Sequence, residues 1–251
     1  MHVSIIIVSW NVKDLLLKCI ESVLFFSKNI NFEIIVVDNG SSDGTLEAIK
    51  CDFPNIKLIS NNKNLGFAKA NNQGIKIAKA EYILLLNPDT EFIEDTLDPI
   101  LKKMEFDKKI GVLGCRLLNT DKTIQPSVRR FPRVIDILAI LFKLNKMFPK
   151  LLDKYLAYDF DYSREQEVNQ VMGAFFLVRK QVFEKIGLLD EKYFIWFEEV
   201  DFCRRVMQNG WKVLYHPNVK IIHHKAKSFS QANTLKKQFW FFRSALRYLL
   251  K

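Results

Sequence analysis

The chain has 251 residues, 49% hydrophobic and 26% charged, which suits one packed globular domain with a subdomain and excludes a disordered or fibrous protein. Its net charge of +10 is lopsided: eleven Lys and Arg but no acid follow Asp201, while the residues up to Asp201 hold 27 bases and 28 acids, a balance of −1. Such a tail calls for an anionic partner, and four scattered cysteines without CxxC spacing (Cys19, Cys51, Cys115 and Cys203) predict buried thiols in a reducing compartment rather than disulfides or a zinc site.

From the amino terminus, SIIIVSW reads as a strand, with no basic leader or long apolar run of a signal peptide. Residues Asp14 to Phe26 carry the helical spacing Leu15, Leu16, Cys19, Ile20, Val23 and Leu24. EIIVVD is a second strand, followed by a Ser-Ser-Asp turn that offers caps to a helix from Gly44 to Lys50. IKLISN, a helix from Phe67 to Lys79, YILLLN, a helix from Asp95 to Glu105 and IGVLGCRLL continue the alternation. Regular alternation predicts an α/β fold, a mostly parallel sheet with helices on both faces. Residues 126–170 break the rhythm with Pro126, Pro132 and Pro149, and read as a partly helical insertion with a mobile loop at Asp159 to Glu167. VNQVMGAFFLVRK resumes a strand; Gln181 to Ile186 and Val200 to Gln208 are helices, the latter stopped by Asn209-Gly210. WKVLYH and VKIIHH read as two strands, and Leu235 to Leu250 as an amphipathic helix. No stretch reaches the ~18 uncharged apolar residues of a membrane-spanning helix.

Two strands end on aspartates. Asp38 opens the turn DNGSSDG, and is either a turn former or a buried acceptor for the imide N–H of a pyrimidine base. Asp89 in LLLNPDT is either a turn or cap residue or a ligand to a hard divalent cation that neutralises a diphosphate. Strand ends of this kind form the ligand crevice of open α/β sheets. There is no G-x-G-x-x-G and no GKS or GKT, so dinucleotide and P-loop sites lack their fingerprints. In IWFEEVDFCRR the acids Glu198, Glu199 and Asp201 suit a helix dipole, yet Phe194, Trp196 and Phe197 around them also suit a raised carboxylate pKa and stacking on a sugar ring. Of His223 and His224, adjacent on a strand, one alone can face a given side and serve as a neutral imidazole ligand rather than a structural group.

In order and spacing, SIIIVSWN, VVDNGSSDGT, NLGFAKANNQG, LLLNPDT, VMGAFFLVRK, FEEVDFCRR and GWKVLYHPNVKIIHHKAKS resemble family 2 glycosyltransferases, most of all their rhamnosyltransferase-like branch. The resemblance runs from Val3 to about Ser228. It implies a GT-A fold over residues 1–228, with 1–115 binding nucleotide and 116–228 binding acceptor, and a basic helix over 229–251. It implies an inverting enzyme that uses Mg²⁺ or Mn²⁺, a nucleotide-sugar donor such as dTDP-rhamnose or a UDP-sugar, and a glycan or lipid-linked acceptor. Ser9 and Asn11 would border the nucleotide, Asp38 would hold the pyrimidine, and Gly66, Phe67 and Asn72 would wall the base and diphosphate. Asp89 would bind the metal with His223, and Gly173, Ala174 and Trp196 would shape the sugar or acceptor pocket. Glu199 falls where the base is expected, with Glu198 and Asp201 as rivals. Asn87 replaces the first carboxylate of the fuller D-x-D pattern, and Lys225, Ala226 and Lys227 stand where glycines are frequent, offering two cations to phosphate. The basic tail and the 129–154 segment predict a peripheral protein on the anionic cytoplasmic face of the membrane. An inactive nucleotide-sugar-binding protein is the rival class; no nucleic-acid partner is expected, since no such binding signature is present.

Overall fold

The computed structural model describes residues 2–224 and 234–251. Lys225 and Lys227, expected to face phosphate, and Ala226 between them lie outside these residues, as does the boundary expected after Ser228. The first half alternates as its hydrophobic periods dictate: β1 (Val3–Ser9), α1 (Lys13–Phe26), β2 (Phe32–Asp38), α2 (Thr45–Asp52), β3 (Lys57–Ser60), α3 (Phe67–Ile77) and β4 (Tyr82–Leu86). β1 pairs in parallel with both β2 and β4, and β2 with β3. β1 and β4 are apolar almost throughout because helices cover both faces of the sheet.

The second half comprises β5 (Thr90–Phe92), α4 (Leu97–Phe106), β6 (Ile110–Leu118), β7 (Ile124–Gln125), β8 (Val128–Arg129), α5 (Val134–Leu141) and α6 (Asp153–Leu156), then β9 (Gln166–Glu167), β10 (Gln170–Val171), β11 (Phe175–Arg179), α7 (Lys180–Ile186), α8 (Glu198–Gln208), β12 (Lys212–His223) and α9 (Thr234–Leu249). The main sheet runs β3-β2-β1-β4-β11-β6-β12-β5, with β7 on β6 and β9 on β12; β8 and β10 pair separately. β11 enters antiparallel between β4 and β6, so the mostly parallel sheet is mixed. Strand direction depends on the connection, and the long excursion before β11 brings the chain in from the opposite end.

Three local expectations change. The strand expected through VNQVMGAFFLVRK is broken at Met172–Ala174, where the Asn87 N–H donates to the Ala174 carbonyl at 3.0 Å and holds the break against the end of β4. The two strands expected around Pro217 are one, β12, whose pairing with β6 shifts register between His216 and Lys220. Pro217 has no N–H to give the ladder, which accounts for a slip at that place. The run expected to be a mobile loop is tied down: the Tyr162 hydroxyl accepts the Ser127 and Val128 N–H groups, and Arg130 pairs with Asp159.

Alternate strand residues feed opposite faces. Ile5, Ile7, Val36 and Leu84 pack with Leu16, Cys19 and Ile20 of α1 and Ile100 of α4. Ile6, Ile35, Val37 and Leu85 pack with Ala68 and Ala70 of α3 and Phe202 and Val206 of α8. Each large side chain so buried contributes roughly 1.5–3 kcal/mol. Cys19, Cys115 and Cys203 are buried free thiols as expected, whereas Cys51 is exposed, on a face of α2 turned to solvent. A third cluster joins Ile137 of α5 and Ala245 and Tyr248 of α9 to Tyr193, Phe197 and Val200. One face of the terminal helix is therefore docked on the domain. Among the described residues no helix is long and apolar enough to cross a membrane.

Candidate active site

A cavity of about 690 Å³ opens where β1 and β4 meet, beyond the carboxyl ends of the parallel strands. Here the strand order reverses, the position at which open α/β sheets bind ligands, and the volume suits a small-molecule site. Gly66, Phe67, Asp89, Gly173, Ala174, Trp196, Glu198, Glu199 and His223 line it; Ser9, Asn11, Asp38, Asn72 and Asp201 do not.

Asp38 is fully buried at the end of β2. Its Oδ2 accepts the N–H groups of Gly40 at 3.2 Å and Ser41 at 3.0 Å, so its turn-forming role is realised. Its Oδ1 has no hydrogen-bond partner, and neither does the Oγ of Ser9, its register neighbour on β1. Unmatched buried polar atoms cost about 1–3 kcal/mol each, so they favour a ligand that matches them. Asn11 accepts the Ser42 N–H at 2.7 Å and closes the two loops together. Asn72 brackets the backbone of Leu189, donating to its carbonyl at 2.9 Å and accepting its N–H at 3.2 Å. These two hold walls in place rather than facing the cavity.

The wall itself depends on Gly66. Its φ of +89° is left-handed, and a Cβ there would meet the Phe194 carbonyl oxygen at 2.5 Å. That close approach lets the Phe67 N–H donate to the same carbonyl at 2.7 Å. Gly173 is less constrained, since a Cβ there would meet the Phe67 ring at an ordinary 3.8 Å.

β4 and β12 bring Asp89 and His223 together, both almost fully buried. Asp89 Oδ1 lies 3.3 Å from His223 Nε2, and the His224 N–H donates to the Asp89 carbonyl at 2.8 Å. His224 turns the other way, toward Glu91, as alternation requires. Nδ1 of His223 is 2.6 Å from the Gln125 side-chain oxygen. Two lone-pair donors 3.3 Å apart can share one hard cation, and this donor set fits Mg²⁺ or Mn²⁺. Among the described residues no group of three or more His, Cys, Asp or Glu could hold a metal. A two-residue site suits an ion that keeps water and takes phosphate oxygens.

The opposite wall begins at Trp196 and Phe197, whose φ values of +65° and +69° put two bulky side chains in the left-handed region. Such strain persists only where surroundings enforce it. Here α9 does so: Phe241 packs on both rings at 5.8 and 5.5 Å, Tyr248 on Phe197 at 5.4 Å, and the Ser244 hydroxyl donates to the Ile195 carbonyl at 2.9 Å. The reversal starts α8 at Glu198, two residues earlier than expected, and delivers Glu198 and Glu199 to the cavity. Burial raises the pKa of Glu199 above the usual carboxylate range. Burial raises Glu198 well above that range too, and the neighbouring Glu199 charge adds to it. Asp201 instead accepts from Arg205 at 2.9 Å and Lys251 at 2.7 Å, an ion-paired position one face away.

Several lining residues carried no signal of their own in the sequence. Trp10, Gln125, Arg129 and Trp240 all face the cavity, and Trp240 stacks on Phe194 with ring centres 4.5 Å apart. They come from the turn after β1, the neighbouring β7 and β8, and α9, so no single spacing groups all four.

The family model of Glycosyl transferase family 2 matches residues 4–187, which leaves Glu198, Glu199 and α9 beyond the matched segment. The rhamnosyltransferase WbbL of Escherichia coli (strain K12) is 30% identical over 99% of this chain and 93% of its own length. The N-acetylglucosaminyl-diphospho-decaprenol L-rhamnosyltransferase of Mycobacterium tuberculosis (strain ATCC 25618 / H37Rv) is 28% identical over 78% of this chain and 67% of its own length. Among solved structures, the mannosyltransferase PcManGT from Pyrobaculum calidifontis, in complex with GDP-Man and Mn²⁺, superposes with a TM-score of 0.64 at 16% identity, over 98% of this chain and 64% of that one. GalNAc-T7, solved with UDP, GalNAc and Mn²⁺, gives 0.67 at 17% identity, over 92% of this chain and 45% of that one. The chain thus spans less than two thirds of these solved transferases, whose likeness establishes the GT-A fold.

Proposed function

Because this chain belongs to glycosyl transferase family 2, in its rhamnosyltransferase-like branch, we propose that it transfers a sugar with inversion from a nucleotide-diphosphate donor, dTDP-rhamnose or a UDP-sugar, to a glycan or lipid-linked acceptor. The observation that carries this reading is a single cavity with a cation-binding pair, Asp89 and His223, on one wall and the strained start of α8, bearing Glu199, on another.

Asp38 Oδ1 and Ser9 Oγ, outside the cavity lining but unmatched, would be the groups that match a pyrimidine, and Gly66 and Phe67 would confine the base and diphosphate. Asp89 and His223 would hold Mg²⁺ or Mn²⁺, which when bound supplies positive charge to the departing diphosphate. Glu199 takes the proton of the acceptor hydroxyl. That oxygen forms its bond to the anomeric carbon from the face opposite the diphosphate, and the bond to the diphosphate oxygen breaks with its electron pair. Glu198 stands beside the base with its own pKa raised by burial, and Trp196 offers a ring face to a sugar. Asp201, committed to Arg205 and Lys251, supports the helix rather than the chemistry.

A membrane surface completes the reading. The outer face of α9 exposes Phe239, Phe242, Leu246, Leu249 and Leu250, and α5, packed against it, exposes Val134, Ile135 and Leu138. An apolar face of this extent, carrying Lys236 and Arg243, suits anionic lipid. Transfer is tested by incubating the enzyme with dTDP-rhamnose or a panel of UDP-sugars, Mn²⁺ and a lipid-linked acceptor, and reading the product's anomeric configuration by NMR. An inverted linkage is expected; a retained one overturns the mechanism, and no transfer from any donor overturns the function.

A further inference from the structure

Gln125 occupies β7, opposite Leu117 of β6, and is 1% exposed. Its amide orientation is fixed twice over. Its Nε2 donates to the His223 carbonyl at 3.1 Å, an atom that can only accept. It also donates to Asn119 Oδ1 at 3.0 Å. The Asn119 amide is oriented in turn, because its Nδ2 donates at 2.9 Å to the Thr123 hydroxyl, which spends its own proton on Asp121 at 2.6 Å. Every donor along this line is directed by a carboxylate at one end and a backbone carbonyl at the other. The Gln125 oxygen therefore must face His223 Nδ1, and at 2.6 Å it can only be accepting a proton from it.

We propose that Gln125 is a positioning residue that locks His223 as its Nδ1–H tautomer, leaving Nε2 bare and aimed at a divalent cation shared with Asp89. The inference rests on the reading of Asp89 and His223 as the cation-binding pair. With Nδ1 protonated, the Nε2 lone pair can accept from the Asn87 amide nitrogen 3.5 Å away, a long contact, and lies 3.3 Å from Asp89 Oδ1, where a cation can engage both. Partners of the second ring nitrogen set ligand tautomer and orientation in metal sites generally, and their loss weakens metal binding by about 10–100-fold. The same relay explains why a two-residue β7 sits where it does: the turn at Asn119–Thr123 anchors the amide that holds the ring.

Long-range ¹H–¹⁵N NMR of the metal-free protein, in alkaline buffer where a free imidazole is neutral, reads the tautomer directly, with His223→Ala identifying the signal. Protonation at Nδ1 is expected, and protonation at Nε2 overturns the proposal without any variant of Gln125. Gln125→Met removes the acceptor at nearly constant volume; it should release the ring to the other tautomer and weaken Mn²⁺ binding, measured by electron paramagnetic resonance, by about 10–100-fold. An unchanged tautomer, or unchanged Mn²⁺ affinity, in Gln125→Met overturns the positioning role. Should His223→Ala itself bind Mn²⁺ like the wild type, the cation-pair reading fails, and the wild-type tautomer still reports on Gln125 separately.

Discussion

Glu199, the proposed base, would trade stability for chemistry. Its pKa is raised by burial, so between the ordinary value of 4.5 and its native value the folded protein holds a proton that the unfolded chain has lost. Stability therefore falls as pH rises through that window, and the cost is complete above the native pKa. Glu199→Gln should slow transfer by roughly 10²–10⁴-fold, the usual loss for a general base, yet melt no lower than wild type at neutral pH. Calorimetry and steady-state kinetics on one preparation check both. Glu198→Gln, which leaves the proposed base in place, should retain far more turnover; the reverse ranking would move the base by one residue. For the same reason the acidic limb of the wild-type rate profile should lie above the ordinary carboxylate range. A limb at the value of an exposed Glu would contradict the burial argument. The sequence made both glutamates conspicuous, because acids beside aromatics are unusual, and Asp89 likewise, because it ends an apolar strand. It could not rank Glu198, Glu199 and Asp201, since that ranking depends on where α8 begins, and hence on left-handed turns at Trp196 and Phe197 that neither residue type favours. Gln125 was invisible: an amide in a two-residue strand has no pattern until β12 is laid beside it.

At the level of elements, α9 acts as a brace. Phe241 and Tyr248 hold the strained turn from behind, while Arg247 and Lys251 pair with Asp190, and Lys251 also with Asp201. Those cations pull the pKa of Asp190 down to about 2 against the burial that opposes them, so its contribution is full above the ordinary 3.8 and is lost as pH falls toward 2. Phe241→Ala should relax Trp196 and Phe197 and misplace Glu199, lowering kcat by about 10²-fold with donor affinity nearly unchanged. Equal losses in donor affinity would assign α9 to binding instead. Asp201→Asn removes one carboxylate from Arg205, which keeps the Ile186 and Leu188 carbonyls, and from Lys251, which keeps Asp190; it should cost about 1 kcal/mol of stability, seen in urea melts, while sparing turnover of the folded fraction. The amino-terminal elements were legible because their apolar runs alternate cleanly with helical spacings. The direction of β11 was not, because an apolar strand reads alike either way.

The whole molecule puts its charge to work in two ways. Of the tail's cations, Arg205, Lys212, Lys220, Arg247 and Lys251 are engaged in ion pairs within the domain, so much of the excess visible in the sequence is not offered outward as a block. What the surface does present is the apolar face of α9 and α5 with basic residues around it. Membrane binding should then be modest and doubly dependent, on anionic lipid at about 1 kcal/mol per nearby cation and on apolar insertion. Vesicle flotation at low salt should recover the protein with anionic and not neutral liposomes, and Phe239→Ala with Phe242→Ala should abolish recovery while leaving the fold intact. Equal, negligible flotation with both lipids would leave that face without this role.

In the proposed reaction, one cavity binds a nucleotide diphosphate through a cation held by Asp89. Isothermal titration of dTDP and UDP, as probes, into the wild type with Mn²⁺ and with chelator, and into Asp89→Ala and Glu199→Gln with Mn²⁺, tests it most directly. At least one probe should bind the wild type tightly only with Mn²⁺, bind Glu199→Gln equally well, and lose its Mn²⁺-dependent affinity in Asp89→Ala. Undiminished, Mn²⁺-dependent binding by Asp89→Ala, or no binding of either probe by the wild type, would contradict it.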